Sequence, residues 1–330
     1  MPRPLLGLAL ALALAPSLSA EEPDRAAIRK KMEQAMGPLP GADRKVPLDA
    51  KIDGEEKLDG YVRLKVSFAA EKGDRVPAYL LIPNTATKDK KVPAVLCLHQ
   101  TIAIGKGEPV GLGGKESLHY ALHLVRRGYA CLAPDYPSFG DYKYDFKAAF
   151  KRGDYQSGTM KAVWNNMRAV DYLQSLPEVD GERIAVIGHS LGGHNAMFTA
   201  AFDERLKVVV SCCGFCSFAK YYGGKLGGWT SDRYMPRIAS EYGNDPKKVP
   251  FDFTDVVTSF APRAFLAVAP ERDDNFAVEG VRDVMAFAAP AYKALDAADN
   301  LKAIYPNAGH DFPADARKTA YEFIDAKLKK

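Results

Sequence analysis

Ser190 sits in Gly188-His189-Ser190-Leu191-Gly192, a serine with a glycine two residues away on either side. An apolar run, Ile184 to Ile187, precedes it, and an Ala-rich apolar stretch, His194 to Phe202, follows. Strand, sharp turn and helix in that order lift a serine hydroxyl out of a sheet as a nucleophile. The turn strains the backbone at the serine, and a side chain at Gly188 or Gly192 would strike the adjoining strand and helix. The new helix aims its unbonded N–H groups at the same spot. A serine hydroxyl attacks poorly until a base takes its proton, and the base needs a third group to orient it. Two later stretches offer those partners. Ala264 to Ala269 runs into Pro270-Glu271-Arg272-Asp273-Asp274, and Leu301 to Tyr305 runs into a loop containing Gly309-His310. Both loops lie beyond the C-terminal end of a strand-like run, where open α/β sheets gather their sites. His310 is expected as the base. Asp273 is expected as the acid by its distance from the strand end, with Asp274 as the alternative.

The tetrahedral intermediate of such a reaction needs N–H donors for its oxyanion. One is expected from the backbone of Leu191. The other is assigned to Thr101, with Gln100 as the alternative, in the His99-Gln100-Thr101 loop that follows Val92 to Leu98. His99, Gln100 and Trp229 are expected to shape the substrate site. His189 and His194 flank the serine too closely in sequence to serve it as base. His119 and His123 have the i, i+4 spacing of a zinc pair, yet no third ligand accompanies them. Cys97 and Cys131 fall in strand-like runs and read as core. Cys212, Cys213 and Cys216 cluster, but their spacing fits no zinc pattern. Gly114-Lys115 lacks the remaining glycine and hydroxyl of a phosphate loop. No metal and no cofactor is expected.

Strands alternating with helices must position these residues. From Val92 onward strand-like runs at Val92–Leu98, Tyr129–Ala133, Ile184–Ile187, Val208–Ser211, Ala264–Ala269 and Leu301–Tyr305 are separated by helical patterns such as Glu116–Arg127, Ser157–Leu176, Val278–Leu295 and Ala314–Leu328. This is the signature of a mostly parallel sheet flanked by helices. Tyr61–Phe68 and Val76–Ile82 read as an antiparallel pair ahead of it. Residues 214–262, rich in Gly and aromatic residues such as Tyr221, Tyr222, Trp229 and Tyr234, are too long for a simple connection and are expected to form a cap insertion between the sixth and seventh strands. The expected division is a signal peptide over 1–20, an N-terminal helix and linker over 21–57, and a catalytic domain over 58–330. The signal reading rests on Arg3, the Leu5–Ala15 run and the small residues ending at Ala20. That run is too short to span a bilayer. A secreted or periplasmic location without stable membrane insertion is therefore expected. The chain's formal net charge of +4, with no dense basic block except Lys327-Leu328-Lys329-Lys330, read as a frayed, solvated end, gives no reason to expect nucleic acid.

The ordered motifs identify a resemblance to the α/β-hydrolase superfamily over roughly Leu58 to Lys327. They are Leu98-His99-Gln100-Thr101, Arg127-Gly128-Tyr129-Ala130 with Ala133-Pro134-Asp135-Tyr136, the Gly-His-Ser-Leu-Gly-Gly turn, Asp273, and Gly309-His310. Within the superfamily the chain is most similar to exported hydrolases of the dienelactone hydrolase and acetyl xylan esterase type. It departs from dienelactone hydrolases proper in having Ser190 where they use cysteine. It departs from many relatives in having Gln100 where they have glycine. The resemblance implies a serine esterase working through an acyl-enzyme on a small-molecule or oligosaccharide ester, with a carbohydrate-linked acetyl or aromatic acyl group. Two other readings stand beside it. One is a prolyl-oligopeptidase-like peptidase acting on short peptides, although the large N-terminal propeller usual in that family has no room before Leu58. The other is a non-catalytic binding module on the same fold. Lys225, Arg233 and Arg237 are read as surface charge rather than as carboxylate-binding groups.

Overall fold

The computed structural model of the protein describes residues 22–329, so the expected signal peptide lies outside the described residues. Among the described residues the strands form a single nine-stranded sheet in the order β1-β2-β3-β5-β4-β6-β7-β8-β9. Strands β1 (Lys51–Leu58), β2 (Tyr61–Glu71) and β3 (Asp74–Pro83) make an antiparallel meander, and β3 pairs antiparallel with β5 (Ala130–Pro134). From β5 the pairing is parallel through β4 (Val92–Leu98), β6 (Val179–His189), β7 (Leu206–Cys212), β8 (Ala264–Val268) and β9 (Leu301–Ile304). Parallel strands are covered on both faces and so read as unbroken apolar runs.

The helices are α1 (Arg25–Met36), α2 (Tyr120–Arg126), α3 (Phe146–Arg152), α4 (Gly158–Ser175), α5 (Leu191–Phe202), α6 (Arg237–Ser240), α7 (Phe253–Thr258), α8 (Val278–Ala294) and α9 (Ala314–Leu328). Alternation along the strands divides the core between the two faces. In β4, Ala94, Leu96 and Leu98 join one buried cluster with residues of α1, α4, α5 and α8. Val95 and Cys97 join the other with residues of α2 and α9. Ser157 starts α4 by accepting a hydrogen bond from the Met160 N–H at 3.0 Å, a cap contributing about 1 kcal/mol. Among the described residues, no helix is long and apolar enough to cross a membrane.

Three elements differ from the sequence reading. β1 lies in the stretch read as a linker. Its residues, Lys-Ile-Asp-Gly-Glu-Glu-Lys-Leu, are exposed or half-buried throughout, so neither alternation nor an apolar run marks the strand. Backbone pairing to β2 places it at the sheet edge. With that strand counted, the 214–262 insertion falls between β7 and β8. The helix expected over Glu116–Arg127 is broken: a 3-10 turn covers Glu116–Leu118, and α2 starts only after His119, whose ψ of 42° leaves the helical region. α3, at seven residues, is too short to show a period.

Candidate active site

Ser190 closes the turn between β6 and α5 with φ 52° and ψ −117°. A side chain rarely tolerates that conformation, and here neighbours on every side enforce it. The Ser190 N–H donates to Cys212 O at 2.9 Å, and Ser190 O accepts from the N–H groups of Gly193 and His194. A Cβ on Gly188 would sit 2.2 Å from Gly192 O, and one on Gly192 would sit 1.9 Å from Leu98 O. Both glycines are therefore required by close backbone approach, from α5 in one case and from the end of β4 in the other.

The loops after β8 and β9 are zipped together by Glu271 N–H to Pro306 O and Arg272 N–H to Ala308 O, each at 3.0 Å. This fixes Asp273 beside His310. His310 Nδ1 lies 3.0 Å from both carboxylate oxygens of Asp273. Asp273 Oδ1 also accepts from the N–H groups of Asn275 and Phe276 at 2.8 and 3.2 Å. Burial works against the Asp273 charge, but His310 and those two N–H groups hold its pKa below the ordinary value. For His310, burial works against protonation, while Asp273 and the adjacent Cys213 outweigh it and raise the pKa to about 9. Of the two aspartates that sequence reading left open, it is Asp273 whose carboxylate oxygens lie in position to accept from His310 Nδ1.

Ser190 and His310 line one cavity of about 310 Å³ together with Gln100, Thr101, His194, Tyr221, Gly228, Trp229, Tyr234, Asn275 and Phe276. No Asp, Glu, Lys or Arg lies on this wall. Hollows of about 640 and 790 Å³ occur elsewhere, but neither is lined by a serine together with a histidine. The insertion between β7 and β8 contributes Tyr221, Gly228, Trp229 and Tyr234. Trp229 is almost fully buried among His194, Phe218, Tyr221, Phe253 and Phe276, with ring centroids 4.8–6.2 Å away. Its indole N–H has no acceptor among the described residues.

The remaining expected residues divide. Thr101 lines the cavity, with Oγ1 3.3 Å from the Tyr234 hydroxyl. Gln100 lines it too, but its side-chain amide donates to Glu108 Oε1 at 3.0 Å rather than pointing free. Leu191 is the first residue of α5, so its N–H has no intrahelical acceptor, while its side chain packs away with Tyr136, Phe139 and Phe146. His99 is the exception. It is buried and absent from the cavity wall, with Nδ1 2.6 Å from Gln100 O and Nε2 accepting from Tyr136 N–H at 2.9 Å. Its ring braces the loop from beneath and does not line this cavity. Lys225, Arg233 and Arg237 also lie off the wall. Arg233 donates to Ser138 Oγ at 2.9 Å and stacks over Phe139. Asn275 and Phe276 were missed by sequence reasoning. Their signal was position alone, directly after the expected acid.

Residues 116–330 match the prolyl oligopeptidase family, and the chain belongs to that family. It is 27% identical over 318 residues to YtaP of Bacillus subtilis, described as a hydrolase, covering 92% of this chain and all of that one. Several other curated relatives are matched over less than half of their own length. A glucuronoyl esterase from Solibacter usitatus superposes with a TM-score of 0.72 at 18% identity, over 92% of both chains. An acetyl xylan esterase from Paenibacillus sp. R4 superposes with a TM-score of 0.60 at 19% identity, over 92% of this chain and 93% of that one. The fold is the α/β-hydrolase fold, and the chain is a hydrolase.

Proposed function

We propose that this member of the prolyl oligopeptidase family is a serine esterase that cleaves uncharged carboxylic esters through an acyl-enzyme. Ser190 Oγ attacks the ester carbonyl while His310 takes its proton, and Asp273 steadies the imidazolium that forms. The Leu191 N–H and a donor from the Gln100–Thr101 loop receive the oxyanion. His310 then returns the proton to the leaving alcohol, and a water repeats the sequence to release the acid.

The observation that carries the ester assignment is the neutral, aromatic cavity wall. A peptidase that grips a chain end needs a carboxylate for its ammonium or a cation for its carboxylate, and the wall offers neither. Tyr221, Trp229, Tyr234 and Phe276 instead offer ring faces to a sugar or an aromatic acyl group. The likeness to carbohydrate esterases points the same way, toward acetyl or aromatic acyl esters on carbohydrate. Export through the signal peptide over residues 1–20 belongs to the same proposal, because such esters are polymer-borne and outside the cell.

The test is turnover of p-nitrophenyl acetate, methyl ferulate, acetylated xylan and an aminoacyl-p-nitroanilide by the protein and by Ser190→Ala. Hydrolysis of the esters but not the anilide, lost in the variant, is expected. Anilide cleavage that exceeds ester cleavage would replace the esterase assignment with a peptidase one.

A further inference from the structure

His189, Cys213 and His310 come from three separate places: the end of β6, the residue after β7 and the loop after β9. One donor atom from each lies within 4.8 Å of the other two. His189 is fully buried, and neither ring nitrogen has a hydrogen-bond partner among the described residues. A buried imidazole ordinarily has one, so this ring is a pair of donor atoms aimed at a site without a protein acceptor. Cys213 is also buried, and its Sγ is 3.4 Å from Asp311 O. The reaction proposed above uses neither His189 nor Cys213.

We propose that these three residues form a binding site for a borderline-soft divalent cation, Zn²⁺ or Cd²⁺, whose occupation switches the hydrolase off. Two imidazoles and one thiolate are a zinc donor set, with a fourth position left for water. Zinc bonds of about 2.0–2.3 Å place donors roughly 3.3–3.8 Å apart, so the group closes by about 1 Å on binding. His310 is the member able to swing, since its side chain is 18% exposed and lies on the cavity wall. On binding, the Cys213 thiol and the His310 imidazolium each release a proton to solvent, and the thiolate and the two neutral imidazoles each donate a lone pair. Nothing is oxidised or reduced. Both ring nitrogens of His310 have duties, one toward Asp273 and one toward the Ser190 proton. A cation on either nitrogen removes the base. The binding stands independently of the esterase assignment; the inhibition rests on it. Sequence spacing hides the site because its ligands come from different elements.

The experiment measures p-nitrophenyl acetate turnover against added ZnCl₂, with EDTA reversal, in the protein and in Cys213→Ser and His189→Gln. In parallel, CoCl₂ is titrated and the near-ultraviolet thiolate-to-cobalt absorption is recorded. Zinc inhibition that EDTA reverses is expected, with the half-inhibitory zinc concentration raised at least about tenfold in both variants. The cobalt band is expected in the wild type and absent in Cys213→Ser. No cobalt band in the wild type, or zinc inhibition unaltered in both variants, overturns the site. Should no ester be turned over, the cobalt titration still decides the metal site, while the esterase assignment fails by itself.

Discussion

At the residue scale the proposed chemistry depends on one hydrogen-bonded pair, Asp273 with His310, and one strained serine, Ser190. Asp273→Asn leaves the loop intact but donates where it should accept, so the imidazole is held in the wrong tautomer. A fall in kcat of about 10⁴ is expected. Asp274→Asn is expected to stay within a few-fold of wild type, and stopped-time turnover of the two variants side by side checks both. The pH profile follows from His310. A general base must be unprotonated, and the pKa of this one is raised to about 9. kcat/KM is therefore expected to climb with pH through that value rather than level off near 7. The same shift has a stability sign. A group whose pKa is raised on folding stabilises the fold fully below its unfolded value of about 6.5, and that contribution is lost as pH rises through about 9. Ser190, His310 and the required Gly188 and Gly192 were legible in sequence because each is fixed by chemistry or by steric contact at a set spacing. His99 was misplaced for a plain reason. A histidine at the end of a strand looks alike in sequence whether it faces the cavity or the protein, and hydrogen bonds to Gln100 O and from Tyr136 N–H turn it inward.

At the element scale, the proposed substrate wall depends on the insertion between β7 and β8 packing its aromatic residues against the helix that follows Ser190. Trp229 touches residues of the insertion, of α5 and of the loop after β8. Trp229→Ala removes a large buried ring and is expected to cost about 3–5 kcal/mol of stability, read as a lowered midpoint in urea unfolding. Trp229→Phe keeps most of the packing, and its urea midpoint is expected to fall well short of the loss in Trp229→Ala. The parallel strands and the long helices were readable because two-sided burial imposes an unbroken apolar run and helical burial imposes a 3.6-residue period. β1 escaped because an exposed edge strand is held by backbone pairing, which leaves no side-chain pattern. The loop after β8 shows the same limit, since Asn275 and Phe276 meet Ser190 only through the sheet order.

At the scale of the whole molecule, α4 is tied to the antiparallel β2–β3 pair by a buried ion. Lys161 is fully buried, with Nζ 2.6 Å from both Glu71 Oε1 and Asp74 Oδ2. Lys161→Met removes the cation shared by two partly buried carboxylates and leaves Glu71 ion-paired with Arg44. A loss of about 3–5 kcal/mol is expected, measured by chemical denaturation at neutral pH. Burial raises the pKa of Glu71, but Lys161, Arg44 and Tyr155 more than compensate and depress it. Its contribution is therefore present above the ordinary carboxylate value and is lost as pH falls through the lower folded value. The pairing was not foreseeable, because a lysine inside a long amphipathic helix reads as solvated until the fold covers it. The central claim, that Ser190 is the nucleophile of a hydrolase driven by His310 and Asp273, is tested most directly by active-site labelling. The protein is treated with a phosphonate ester, residual p-nitrophenyl acetate turnover is followed, and the labelled peptide is mapped by mass spectrometry. One phosphonyl group per chain on Ser190, formed in step with loss of turnover and absent from Ser190→Ala, is the expected result. Label on another residue such as Cys213, or turnover that survives full labelling of Ser190, would contradict the account.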